Sequence, residues 1–346
     1  VTTERGQMFL NRFRSNTIVF IASFSMLLAG CSPSVSTSTQ LLSTKSVQAF
    51  EENENNYKSE YNEQWALSKI NSSKILDSVK QKKEIKVAVV DTGVDYNHPD
   101  LKDRVLRNLG YNFLDNSREV MDDNWHGTHV AGIIAANAKN NIGISGVVGD
   151  FDVKIIPVKV LNNEGLGSSN IMAIGIKYAA DAGADIINFS VGFDVKDSYI
   201  EEAIKYARSK GVFVVVSSGN NGINADNSSP AGDEGAYTVA SINSMDERSL
   251  YSNYGYSVKI SAPGEGILST VPGGGYDYRN GTSMAAPFVA GTAAMMKAVN
   301  PNLSAEDIEI ILNRTAVDIM EKGQDEFTGY GRLDVNSAVE MAEKFN

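Results

Sequence analysis

Four stretches of the chain are nearly unbroken runs of aliphatic, largely β-branched residues: Ile85–Asp91, Lys154–Leu161, Asp185–Ser190 and Val212–Ser217. Runs this short, bounded by glycine and polar residues, predict strands buried on both faces. Between them the apolar spacing changes to three and four over Ser169–Ala182 and Ser198–Lys210, which predicts helices. Alternating strands and helices with continuously apolar strands imply an α/β fold: a single doubly wound domain, its mainly parallel sheet covered by helices on both faces. Ligands of such sheets gather beyond the carboxyl ends of the strands, and Asp91, Ser190 and Asn220 fall at or just past such ends. Further helices are predicted over Ser73–Val79, from about His126, from Ser283 to Lys297, and over Ser304–Thr315 with Ser304 as N-cap. No internal repeat and no second domain is visible.

The first 60 residues have a different pattern. Residues 1–30 place Arg12 and Arg14 before an apolar run, Ile18–Leu28, that is too short to span a bilayer as an ordinary helix. The run ends in Leu28-Ala29-Gly30-Cys31, which resembles the bacterial lipobox, so Cys31 is the expected lipidation site behind a lipoprotein signal peptide. The basic region is better placed if translation starts at Met8. Residues 31–60 are rich in Ser, Thr, Asn and Glu and read as a flexible tether, a spacer too small and polar to fold as an inhibitor. Residues 61–346 are expected to form the single folded domain. The expected location is extracytoplasmic, on a membrane through the lipid anchor, as a monomer. A net charge of −11 without any basic block argues against nucleic acid as a partner. With one cysteine, the chain has no internal disulfide and no thiolate metal cluster.

Three motifs carry the chemistry. Gly281-Thr-Ser-Met-Ala-Ala-Pro287 opens a helix of small residues, placing Ser283 where unpaired N–H groups and the positive dipole end face a developing anion. Pro287 is expected within the first helical turn, where its missing N–H is no loss. Taken alone, the same pattern describes an ordinary N-capped helix. Asn124-Trp-His126-Gly-Thr-His129-Val-Ala-Gly132 sets two histidines three apart, near Asp122 and Asp123. A zinc site there lacks a close third histidine and a zincin glutamate. Val89-Val-Asp91-Thr-Gly93 ends the first strand. An Asp, a His and a Ser at three element ends suggest a nucleophile with a supported base: His126 takes the proton of Ser283, and Asp91 holds the imidazole.

These three blocks, in this order, resemble the subtilisin-like serine peptidases, and the likeness runs from about Trp65 to Met341. The resemblance implies a serine endopeptidase acting through an acyl-enzyme; the alternative is a catalytically silent binding protein on the same fold. It makes His126 the base, leaves His129 a structural role and His98 a place in a loop. In Ser217-Ser-Gly-Asn220 it makes Asn220 a donor to the oxyanion, beside the Ser283 N–H. It implies a polypeptide substrate bound as an added strand between two edges, Gly165-Leu166-Gly167 and Ser190-Val191-Gly192. Val191 departs from the family's leucine and Ser229 from its aromatic, while Asp226, Asp233 and Glu234 suggest an acidic rim to the specificity pocket. The resemblance also implies structural Ca²⁺, and no catalytic metal, with Asp100, Asn140, Ile142 and Ile144 as ligands in a loop one residue longer than usual.

Overall fold

The computed structural model describes residues 64–72 and 80–345; Cys31, the tether and the helix expected over Ser73–Val79 lie outside the described residues. Seven strands form one sheet: β1 (Ile85–Asp91), β2 (Tyr111–Asn112), β3 (Val153–Lys159), β4 (Ile186–Phe189), β5 (Phe213–Ser217), β6 (Ala236–Ile242) and β7 (Val258–Pro263). Their order is β2-β3-β1-β4-β5-β6-β7 and every pairing is parallel. An antiparallel ribbon, β8 (Ile267–Val271) with β9 (Gly275–Arg279), stands apart from it. The second predicted strand stops short of Val160 and Leu161. Both of their N–H groups turn to the carbonyl of Asp91, the last residue of β1, at 2.9 and 3.2 Å.

The helices are α1 (Trp65–Lys69), α2 (His126–Ala135), α3 (Ser169–Asp181), α4 (Ser198–Ser209), α5 (Thr282–Val299), α6 (Ala305–Thr315) and α7 (Val335–Lys344). Side chains alternate across the sheet. Val87 and Val89 of β1 join the core under α2, α5, α6 and α7, whereas Ala88 and Val90 join the core under α3 and α4. Each strand therefore needs apolar residues at every position, which is why its sequence shows no alternation. Ser304 caps α6 as expected, in a reciprocal pair with Asp307.

Helix α5 is the centre of the molecule. Of its 18 residues only Lys297 escapes burial, so it is apolar all round and packed on every side. Pro287 does not lie in the first turn; it is the sixth residue of the helix. Its missing N–H frees the carbonyl of Ser283, which accepts from Ser190 Oγ at 3.3 Å. The helix tolerates the proline because a neighbouring strand end supplies the missing donor. Among the described residues no helix is long and apolar enough to cross a membrane.

Candidate active site

Asp91 is the last residue of β1, His126 the first of α2 and Ser283 the second of α5. Helix α2 can approach β1 because Gly127 has no side chain: a Cβ there would meet the Gly93 carbonyl oxygen at 2.1 Å. The Asp91 carboxylate and His126 are both almost fully buried, and Nδ1 of His126 lies 2.9 and 2.8 Å from the two carboxylate oxygens. One of those oxygens also accepts from the N–H of Thr92 at 2.7 Å. Nδ1 is thereby the donor, which leaves Nε2 as the basic nitrogen. Burial pushes His126 down, but the charge and hydrogen bond of Asp91, aided by the charge of Asp122, outweigh it and hold the imidazole above its usual value.

Nε2 of His126 is buried without a hydrogen-bond partner among the described residues. Ser283 Oγ donates to the carbonyl of Ser190 at 3.2 Å and not to His126. Gly281, not Ser283, occupies the N-cap of α5, with φ of +153°, a value that favours glycine. Ser283 thus sits inside the first turn, where the helix N–H groups are unpaired.

Asn220 follows β5 and is steered by a residue that sequence reasoning overlooked. Its side-chain carbonyl accepts from both the N–H and the hydroxyl of Thr282, each at 2.9 Å. With the oxygen so engaged, the Nδ2 donors face the other way, near Gly281, at whose Cβ position Nδ2 would be 3.6 Å away. Thr282 immediately precedes the serine, and that adjacency was the available signal.

His129 and His98 are both structural. His129 is buried, with Nε2 3.1 Å from the Asp277 carbonyl, and burial holds it down at about 3, so it stays neutral. His98 lies in a loop as expected but is fully buried: it accepts from the Asp100 N–H through Nδ1 at 3.1 Å and packs edge-on against Tyr276. Trp125 also packs edge-on against the His126 ring, at 5.4 Å, and the Arg279 guanidinium lies over the indole at 4.4 Å.

Of the two expected substrate edges, Ser190-Val191-Gly192 continues from β4, with Val191 buried and open space where a Gly192 side chain would be. In the other, Leu166 uses its own N–H and carbonyl on Asn162, both at 2.9 Å, and the N–H of the buried Gly165 donates to the Asn162 carbonyl at 2.9 Å. The acidic rim is not formed. The Asp233 side chain is fully buried and holds Ser229 and Lys196 at 2.9 Å each, Asp226 accepts from the Ser257 N–H, and Glu234 pairs with Lys205 on the surface.

Asp100 and Asn140 do meet. Asp100 is buried; one oxygen accepts from Asn140 Nδ2 at 2.5 Å and the other from the Ile144 N–H at 3.0 Å and the Tyr276 hydroxyl at 2.8 Å. The Ile142 N–H donates to the Asn140 side-chain oxygen at 3.1 Å, and its side chain is exposed. No Lys or Arg among the described residues pairs with Asp100. A buried carboxylate with no cationic side chain to balance it suits a hard cation, while its three present partners, the Asn140 amide nitrogen, the Ile144 N–H and the Tyr276 hydroxyl, are all donors. No group of three or more His, Cys, Asp or Glu that could hold a metal is present among the described residues.

Comparison with known proteins agrees with this arrangement. The model of the subtilase family matches residues 82–331. Thermitase of Thermoactinomyces vulgaris is 41% identical over 255 residues, covering 74% of this chain and 88% of that protein. A thermophilic serine proteinase of Bacillus sp. (strain AK1) is 42% identical over 255 residues, covering 73% and 61%, respectively. The cell wall-associated protease of Bacillus subtilis (strain 168) is 41% identical over 280 residues, covering 74% of this chain but 31% of that larger protein. The chain thus spans from about a third to most of the length of these relatives. With the family model covering most of the sheet and all three motif-bearing element ends, the chain belongs to the subtilase family.

Proposed function

We propose that this chain is a serine endopeptidase whose nucleophile is Ser283, with His126 as general base and Asp91 as its orienting carboxylate. The observation that carries this reading is the buried Asp91–His126 pair, which leaves Nε2 unpartnered, while Ser283 opens the first turn of the buried helix α5. The Ser283 hydroxyl is held by one long contact to Ser190, so it can turn to Nε2 once substrate arrives; hydrogen bonds of this kind often tighten only in the complex. Attack of Oγ on the scissile carbonyl passes the proton to Nε2, and the imidazolium then protonates the leaving amine. The resulting ester is hydrolysed by water through the same base. Nδ2 of Asn220 and the N–H of Ser283 supply the oxyanion donors.

The substrate binds as an extended strand, reading its main chain against Ser190–Gly192 on one side and against Gly165–Gly167 on the other. Ca²⁺ is held by Asp100 and Asn140 with backbone carbonyls of Ile142 and Ile144, and supplies structural stability rather than chemistry. Cys31 carries the lipid that tethers the monomeric enzyme outside the cytoplasm, with residues 32–60 as spacer.

A fluorophosphonate probe tests the central assignment. It should label the wild-type chain and not Ser283→Ala, with hydrolysis of a peptide substrate lost in parallel. A wild-type chain that binds peptide but resists labelling and does not cleave would be a silent binding protein instead.

A further inference from the structure

Asp122 lies four residues before His126 and takes no part in the steps above. It is 4% exposed, yet its carboxylate touches no cation. One oxygen accepts from the Thr92 hydroxyl and the Asn124 N–H, each at 2.9 Å. The other accepts from the Thr128 N–H at 2.9 Å and the Thr128 hydroxyl at 2.6 Å. The two hydroxyls have no choice in this. Thr92 Oγ1 already accepts from the Gly127 N–H, and Thr128 Oγ1 from the Asp95 N–H, each at 2.9 Å, so their own protons point to Asp122.

Every contact of Asp122 is a donor, an arrangement that favours the carboxylate over the protonated acid. Burial pushes this group up, while the bonds from Thr128, Asn124 and Thr92 pull it back without cancelling the rise. The surrounding donors favour its ionised form. The same contacts join the two elements that carry the catalytic pair. Thr92 directly follows Asp91, and Gly127 and Thr128 directly follow His126.

We propose that Asp122 is a positioning residue for His126: it pins the first turn of α2 to the end of β1, and its fixed charge supports the imidazolium from behind. This rests on the serine peptidase reading above. The charged and titratable groups around His126 are Asp91 at the end of β1, Asp122 before α2, and His129 one turn on, which stays neutral. On the far side of Trp125 lies Arg279 of β9, and Lys159 of β3 donates to the Thr92 carbonyl and, at 2.6 Å, to Asp123. Among these, Asp91 and Asp122 are the two buried anions that raise the imidazole.

The test replaces Asp122 by Asn, which keeps its size and removes its charge. In an inactive Ser283→Ala background, ¹⁵N-histidine NMR reads the midpoint of His126 directly, aided by there being only three histidines. The midpoint should move to lower pH in Asp122→Asn. In the active enzyme, kcat on the plateau should fall about tenfold or more, KM should stay within about twofold, and the acidic limb should follow the NMR shift. Thr128→Ser, which retains the hydroxyl, should behave as wild type, whereas Thr128→Val should move the limb in the same direction as Asp122→Asn. An unchanged His126 midpoint in Asp122→Asn overturns the proposal, as does a loss confined to KM or thermal stability. If Asp122→Asn does not fold, Thr128→Val decides by the same two readings. Absence of hydrolysis in the wild type would refute the peptidase reading, yet the NMR midpoint would still report on Asp122.

Discussion

At the scale of single residues, the proposed mechanism requires a neutral imidazole at His126. Because Asp91 and Asp122 hold His126 above its ordinary value, the proton is lost at a higher pH than from a free histidine. The half-maximal point of the acidic limb of kcat/KM should then lie above ~6.5, with activity falling as pH drops through it. A profile flat from about pH 5 to about pH 8 would contradict His126 as the base. The oxyanion assignment makes a separate demand. Asn220→Ala should lower kcat by about 10²–10³ with little change in KM, the loss typical of one such donor in this family. Steady-state kinetics on one peptide substrate checks both numbers, and a loss borne by KM would move Asn220 out of the oxyanion role.

At the scale of elements, the active serine depends on a compensation between α5 and β4. Pro287 withholds a donor from the Ser283 carbonyl, and Ser190, 1% exposed at the end of β4, provides one while accepting from Asn188 Nδ2 at 2.9 Å. Ser190→Ala leaves two buried polar groups without this partner and should destabilise the fold by about 1–3 kcal/mol, read from urea unfolding. The Ser283 hydroxyl should keep its own contact, because its acceptor is the main-chain carbonyl of Ser190. An unchanged urea midpoint would show that the carbonyl finds another donor. This pairing was not legible in the sequence, where Pro287 and Ser190 are far apart and the proline seemed to belong to the first turn. Ser304 and its capping box were legible, since a cap and its helix are neighbours along the chain.

At the scale of the whole molecule, stability and location have separate sources. Asp100 and the loop from Asn140 to Ile144 tie the segment after β1 to the region beyond α2, so a cation there bridges two parts of the core. Adding a chelator should lower the midpoint of thermal unfolding, because a ligand that binds the native state stabilises it by mass action. Asp100→Asn should abolish the difference between curves with and without chelator; identical wild-type curves would remove the site. Location should depend on Cys31 alone. Cys31→Ser should move the protein from the membrane to the soluble fraction while leaving peptide hydrolysis intact, since the two acyl chains of a diacylglyceryl group suffice for stable anchoring. Unchanged fractionation would refute the lipid anchor.

The sequence by itself determined the architecture and the members of the site. Strand runs without alternation can only belong to a sheet covered on both faces, and Asp91, His126 and Ser283 each sit in a motif that marks an element end. Its reach ended where residues distant along the chain must share a bond. The donors around Asp122, the grip of Thr282 on Asn220 and the burial of Asp233 and His98 all depend on folding. A buried polar group must find its partner in space, and the partner's position is set by how β1, α2 and α5 pack, not by local propensity. Tertiary structure therefore decided the tautomer of His126 and the partner of the serine hydroxyl, while the motifs in the sequence named the candidates.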